Sequence, residues 1–158
     1  MSFSLGNKGE EIWLNHIKSS HQEIELAPKR KFYDWDIKGT FNGDVLTYEV
    51  KYDNSGYYYA RRHRKDVNLY IEFRNTNKGE NSGILASKAI YYVYMLCNHE
   101  RDEVEIYVFN RLELLTHLQN NNYPVKGNKT GGDNNASGWL PPLKALKNLV
   151  LKKIIKKK

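Results

Sequence analysis

Asp36 and the triplet Glu49-Val50-Lys51 lie on either side of Asn42-Gly43, the dipeptide with the strongest preference for a two-residue type I′ hairpin turn. Such a turn sets Phe41 opposite Asp44 and, further along the ladder, Asp36 opposite Glu49. Directly opposed side chains have Cβ atoms roughly 5 Å apart, where two carboxylates repel unless a positive charge lies between them. A divalent cation is the natural candidate. Along the second strand Leu46, Tyr48, Val50 and Tyr52 alternate with Val45, Thr47, Glu49, Lys51 and Asp53, so Glu49 and Lys51 point the same way. Oxygen-rich side chains suit a hard cation such as magnesium, which takes few protein ligands and keeps several waters. The Lys51 ammonium would then orient or help deprotonate a water on that cation, or neutralise charge on a phosphate. The same register places Asp34 opposite Lys51. A solvated hairpin face with an ordinary cross-strand ion pair is therefore the alternative reading of these residues.

The elements that must position these groups belong to a chain of 158 residues, enough for one α/β core and too short for two comfortable domains. Hydrophobic residues make up 40 % and twelve tyrosines are present, so the chain is globular rather than disordered. No apolar run approaches a membrane span and the N-terminus lacks a secretory hydrophobic region, so a soluble, intracellular protein is expected, with no membrane partner. Cys97 is the single cysteine. A lone cysteine is read as excluding an intrachain disulfide and any thiolate zinc site, and its place in the apolar run Tyr91 to Cys97 predicts a buried, inert thiol.

The net charge of +7 is localised, because Lys144 to Lys158 contains seven lysines and no acid. Leu143, Leu146, Leu149, Val150 and Ile154 recur there at helical spacing, so the sequence divides into a core over 1–140 and a basic amphipathic C-terminal helix or tail over 141–158. Lys152 and Lys153 would contact a phosphate backbone; a solubilising tail is the alternative. A second basic cluster follows the Glu-x-Lys strand directly: Tyr57, Tyr58, Tyr59, Ala60, Arg61, Arg62, His63, Arg64 and Lys65. Read as a loop, it offers Arg, Lys and His to phosphates, and Tyr57 and Tyr59 to phosphates or exposed bases.

Gly9 to Ser19 reads as an amphipathic helix with Trp13, Leu14 and Ile17 on its apolar stripe, which turns Glu10 inward and Glu11 to solvent. An inward carboxylate needs a partner, and the hairpin site is one; a first-turn charge favouring the helix dipole is the other reading. Short strands are expected at Glu23–Leu26, Asn68–Asn75, Tyr91–Cys97 and Glu103–Asn110, with helices at Ser82–Ala89 and Arg111–Gln119. Ser87 and Lys88 would face the cleft. Glu72 is either an auxiliary acid or a salt-bridged sheet residue. Asn120 to Gly138, rich in Asn and Gly, reads as a loop that orders on DNA. The histidines are too scattered for a metal site.

A helix carboxylate, a strand aspartate and Glu-x-Lys follow in the order of the PD-(D/E)XK nuclease superfamily, which includes restriction endonucleases, Holliday junction resolvases and intron-encoded homing endonucleases. The chain resembles that superfamily from Gly6-x-x-Gly9-Glu10 through Asp36-Ile37 to Glu49-Val50-Lys51, with Trp35 in place of its proline. The stretch from Asn68 to Tyr94 is more weakly similar to phage and mobile-element members. The resemblance implies a restriction-endonuclease-like α/β fold, a mixed sheet flanked by helices. It implies magnesium, or manganese in its stead, at Asp36, Glu49 and the Val50 carbonyl, with Glu10 reaching a metal through water. Lys51 would position the attacking water, and hydrolysis would leave a 5′-phosphate on double-stranded or branched DNA. Dimers or tetramers are expected, since two strands need two sites. Structure-selective and site-specific cleavage both stay open, as does a non-catalytic DNA-binding module that keeps the fold.

Overall fold

The computed structural model describes residues 5–28, 34–63, 65–76, 79–130 and 134–158. It is a mixed α/β structure built on two sheets. Helix α1 (Leu5–Ile17) leads into strand β1 (Gln22–Leu26), and the hairpin follows as β2 (Ile37–Phe41) and β3 (Asp44–Asp53). Asn42 and Gly43 both have positive φ, 49° and 85°, as a type I′ turn requires. The pairing runs from Phe41 with Asp44 to Ile37 with Tyr48, the register expected from the sequence.

Strand β3 also pairs in parallel with β6 (Tyr91–Asn98), which forms an antiparallel hairpin with β7 (Glu103–Asn110). These strands, with β10 (Val150–Lys157) on the far edge, give the order β1-β2-β3-β6-β7-β10. Both central strands are buried over six consecutive residues because they are covered on both faces. On one face α1 packs Trp13 and Ile17 against Ile37, Tyr48, Val93 and Met95, and Gly9 lies against Val50 and Tyr52. On the other, Tyr92, Tyr94 and Phe109 meet Leu69, Ile71, Ile84, Leu114 and Leu118. That second layer comprises α3 (Gly83–Ala86), α4 (Arg111–Asn120) and a four-stranded antiparallel sheet of order β5-β4-β9-β8. Its strands are β4 (Ile71–Asn75), β5 (Glu80–Asn81), β8 (Val125–Thr130) and β9 (Asn134–Trp139).

Three expectations change. The C-terminal segment is not an amphipathic helix: a 3-10 helix over Leu143–Leu149 gives way to β10, which pairs with β7 from Val150 with Phe109 to Lys157 with Glu103. Leu146 is fully buried, and Leu143 N–H bonds the Val67 carbonyl, so 141–158 is built into the core rather than appended to it. Val-Leu-Lys-Lys-Ile-Ile-Lys-Lys carries apolar residues compatible with either period, and the open edge of β7 decides for a strand. The lysines then also discourage further pairing at that edge. The segment expected as a loop over 120–138 contains the β8–β9 hairpin, whose small and polar residues form a ladder from Val125 with Trp139 to Thr130 with Asn134. Finally, Tyr57 to Arg62 lie on helix α2 (Gly56–Arg62), not on a loop.

Candidate active site

The hairpin ladder ends one pair short of Asp36, and the Asp36 side chain continues it. Asp36 N–H donates to the Tyr48 carbonyl at 2.9 Å, and its Oδ2 accepts the Val50 N–H at 2.8 Å. In extended backbone the N–H and C=O of one residue lie on the same edge, so the Val50 carbonyl is on the Asp36 side of β3. The Asp36 and Glu49 carboxyls stand close enough for each to act on the ionisation of the other. Two such groups do not both ionise cheaply. Burial raises the Asp36 carboxyl, opposed by its bond from Val50. Glu49 goes up to about 8, first from burial and then from the Asp36 charge, so the pair holds a proton more tightly than two free carboxyls would.

Around this pair stand groups of both signs. Ser87, buried, donates its hydroxyl to the Asp34 carbonyl at 3.2 Å and accepts the Ala89 N–H at 3.1 Å, and its dipole opposes the rise at Glu49. Lys88 N–H donates to the same carbonyl at 2.7 Å, and its side chain is exposed. Glu10 is half-buried on α1, the helix that covers the opposite face of the sheet, yet its charge still acts on Glu49 and raises it further. Among the described residues no three Asp, Glu, His or Cys side chains stand close enough to share one ion. The donors available for direct contact are therefore Asp36, Glu49 and the Val50 carbonyl, with Glu10 at one remove. Two carboxylates and a carbonyl, half-buried and short of positive charge, fit a hard divalent cation that keeps most of its waters.

Arg111 is the functional candidate that sequence reasoning missed. It is buried, donates Nε–H to the Ala89 carbonyl at 2.6 Å and Nη1–H to the Ile84 carbonyl at 3.3 Å, and feels the charge of Glu49. Its position held a signal: it opens α4, where the helix dipole disfavours a cation. Glu72, on β4, contributes negative potential at buried Tyr92, as do Glu49, Asp36 and Asp53, which places it among the acids of this region.

Lys51 is half-buried on the same sheet face, paired in register with Tyr94, and its Nζ lies 5.7 Å from the centre of the Tyr70 ring. The expected Asp34–Lys51 pair does not form among the described residues, because the chain leaves the hairpin at Asp34 to meet Ser87 and Lys88. Lys51 instead opens into a cleft of about 600 Å³ between β3, α2 and the second sheet, together with Tyr59, His63 and Lys65. Asp36 and Glu49 do not line it; Lys51 is the link between the two.

Of the other expected DNA contacts, Tyr57 points inward and donates its hydroxyl to Glu105 Oε1 at 2.7 Å, so it is part of the core. Arg61 pairs with Glu100, and Arg62 donates to the Tyr58 hydroxyl at 3.2 Å. Arg64 lies outside the described residues. Lys152 sits on the α1 face of β10, where burial first, then the charges of Lys156 and Lys152, lower His16; Lys153 is on the other face, with Nζ 5.5 Å from the Tyr107 ring. The two cannot grip one surface together. Tyr59, His63 and Lys65 remain as a group. No helix among the described residues is long and apolar enough to cross a membrane. No protein-family model, curated protein or solved structure matches this chain.

Proposed function

We propose that this protein is a metal-dependent endodeoxyribonuclease that hydrolyses DNA phosphodiester bonds. The single observation that carries this reading is the electrostatically coupled Asp36–Glu49 pair, with Asp36 tied to the Val50 N–H and Glu49 two residues from a lysine that opens into a basic cleft. Magnesium or manganese held by Asp36, Glu49 and the Val50 carbonyl would supply Lewis acidity and a water of lowered pKa. The chain's own groups do the rest. Val50 N–H orients the Asp36 carboxylate, the Ser87 dipole opposes the rise at Glu49, and Arg111 offsets the charge of Glu49 from within the core. Lys51 Nζ, steered by the Tyr70 ring, donates to a phosphate oxygen or to the incoming water. The order of these residues along the chain is what resembles the PD-(D/E)XK nucleases, and cutting both strands of a duplex would take two copies of this chain.

A DNA-binding module without catalysis is the second reading, favoured by one observation: the carboxylates do not line the cleft. Incubation with magnesium on supercoiled plasmid, a four-way junction and linear DNA separates the two. Nicked or linear plasmid, or a resolved junction, supports the enzyme and tells site-specific from structure-selective cutting. Retention of every substrate intact, at protein concentrations that bind it, supports the module.

A further inference from the structure

We infer that the cleft between α2 and the four-stranded sheet is a binding track for a single nucleic-acid strand, with Lys126 and Tyr59 as its far wall. Resting on the nuclease reading for its chemistry, the inference stands on separate observations for its binding. The cleft is lined by Lys51, His63, Lys65 and Lys126, four cationic or titratable groups drawn from three separate parts of the fold. The two acids that share it are already engaged. Asp53 accepts the Tyr94 hydroxyl and the N–H groups of Ser55 and Gly56, and Asp66 pairs with Lys144 at 2.6 Å. What is left over is positive.

An aromatic surface accompanies that charge. Tyr59 is 53 % exposed, more than a ring needs for packing alone, and Lys126 Nζ lies 5.7 Å from its centre. A lysine beside an exposed ring is the pairing that holds one phosphate while the neighbouring base stacks. The Tyr70 hydroxyl is buried with no partner among the described residues, and the Tyr70 ring lines the same cleft. At about 600 Å³ the cleft has room for a nucleotide or two, and the exposed Tyr59 ring beside a lysine suits an unpaired base. Lys126 enters from β8, whose neighbouring residues read from the sequence as an unstructured loop, and so it carried no signal there.

Fluorescence anisotropy in metal-free buffer, with a labelled single-stranded oligodeoxynucleotide and the blunt duplex of the same sequence, tests this directly. The single strand is expected to bind more tightly than the duplex. Lys126→Ala and Tyr59→Ala should each weaken strand binding about tenfold, and Lys126→Arg should restore most of it. Circular dichroism establishes that the variants are folded. Tighter binding of the duplex, or wild-type strand affinity in Lys126→Ala, overturns the inference. Asp36→Asn is expected to bind the strand like wild type. Strand binding of this pattern by a protein that cuts nothing keeps the cleft and removes the nuclease reading. A protein that cuts DNA, yet is unaffected by Lys126→Ala and Tyr59→Ala, keeps the nuclease and removes the cleft.

Discussion

Asp36 completes the β2–β3 hairpin through its side chain: Oδ2 takes the Val50 N–H at 2.8 Å where the next backbone carbonyl would otherwise be. The carboxylate is thus structural and chemical at once, and the two roles respond to different substitutions. Asp36→Ala leaves the Val50 N–H without an acceptor and should cost about 1–3 kcal/mol in urea denaturation. Asp36→Asn keeps a carbonyl oxygen in place, so its stability should stay close to wild type while the charge is gone. Equal losses from both would mean that the bond to Val50 contributes nothing.

The Glu49 carboxyl binds a proton more tightly in the folded protein than in the unfolded chain, with its pKa pushed up to about 8. Its contribution to stability is therefore full at low pH, below the ordinary carboxyl value of 4.5, and is lost as pH rises through about 8. In metal-free buffer the Tm of wild type should fall across that window by on the order of 5 °C, and Glu49→Gln should flatten the fall. Magnesium added at the alkaline end should recover the loss, because a cation replaces the proton held by the pair. A Tm profile unchanged by Glu49→Gln would contradict the raised proton affinity of Glu49.

Lys51 is steered by Tyr70, and Tyr70 is backed by Gly138. A Cβ at Gly138 would stand 2.8 Å from the ring carbons Cε2 and Cζ and 2.9 Å from the Ile71 carbonyl oxygen, so no larger residue fits without moving the ring. Gly138→Ala should destabilise the fold by about 1–3 kcal/mol through overpacking. It should also lower cleavage more than DNA binding, since the ring no longer holds Lys51. Lys51→Ala itself is expected to reduce the cleavage rate roughly 10²-fold or more with binding largely kept.

Tyr57 and Tyr59 are two residues apart on α2 and have opposite fates. Tyr57→Phe removes one of the two tyrosine hydroxyls that bond the buried Glu105 and should cost about 0.5–1.5 kcal/mol of stability with DNA affinity unchanged. Tyr59→Ala should leave stability almost untouched and weaken DNA binding. Reversal of that pattern, read by urea midpoints and anisotropy, would overturn the orientation of α2.

Local chemistry made the hairpin legible. Asn42-Gly43 specifies a turn, the turn specifies the register from Phe41 with Asp44 to Ile37 with Tyr48, and that ladder ends one pair short of Asp36 and Glu49. Strands β6 and β7 and helix α4 were equally readable, from continuous apolar runs and from Leu spacing. Where non-local pairing decides, the sequence is ambiguous. The lysine-rich end becomes β10 because β7 has an edge to fill, and β8 and Asn-rich β9 pair with each other while β9 also pairs with β4. Tyr57 to Arg62 look alike as a row of aromatics and cations, and only the helix phase separates the inward Tyr57 from the exposed Tyr59. Arg111 was overlooked because its carboxylate neighbour, Glu49, is distant in sequence and comes close only through the packing of α3 and α4 around β6.

The most direct measurement is the rate of magnesium-dependent plasmid nicking by wild type and by Asp36→Asn, at protein concentrations that give equal DNA occupancy. Cleavage by wild type, absent without magnesium and lost in Asp36→Asn with binding intact, is the predicted result. Equal nicking by both proteins, or none by wild type in magnesium or manganese at full occupancy, would contradict the assignment of Asp36 and Glu49 as the catalytic metal site.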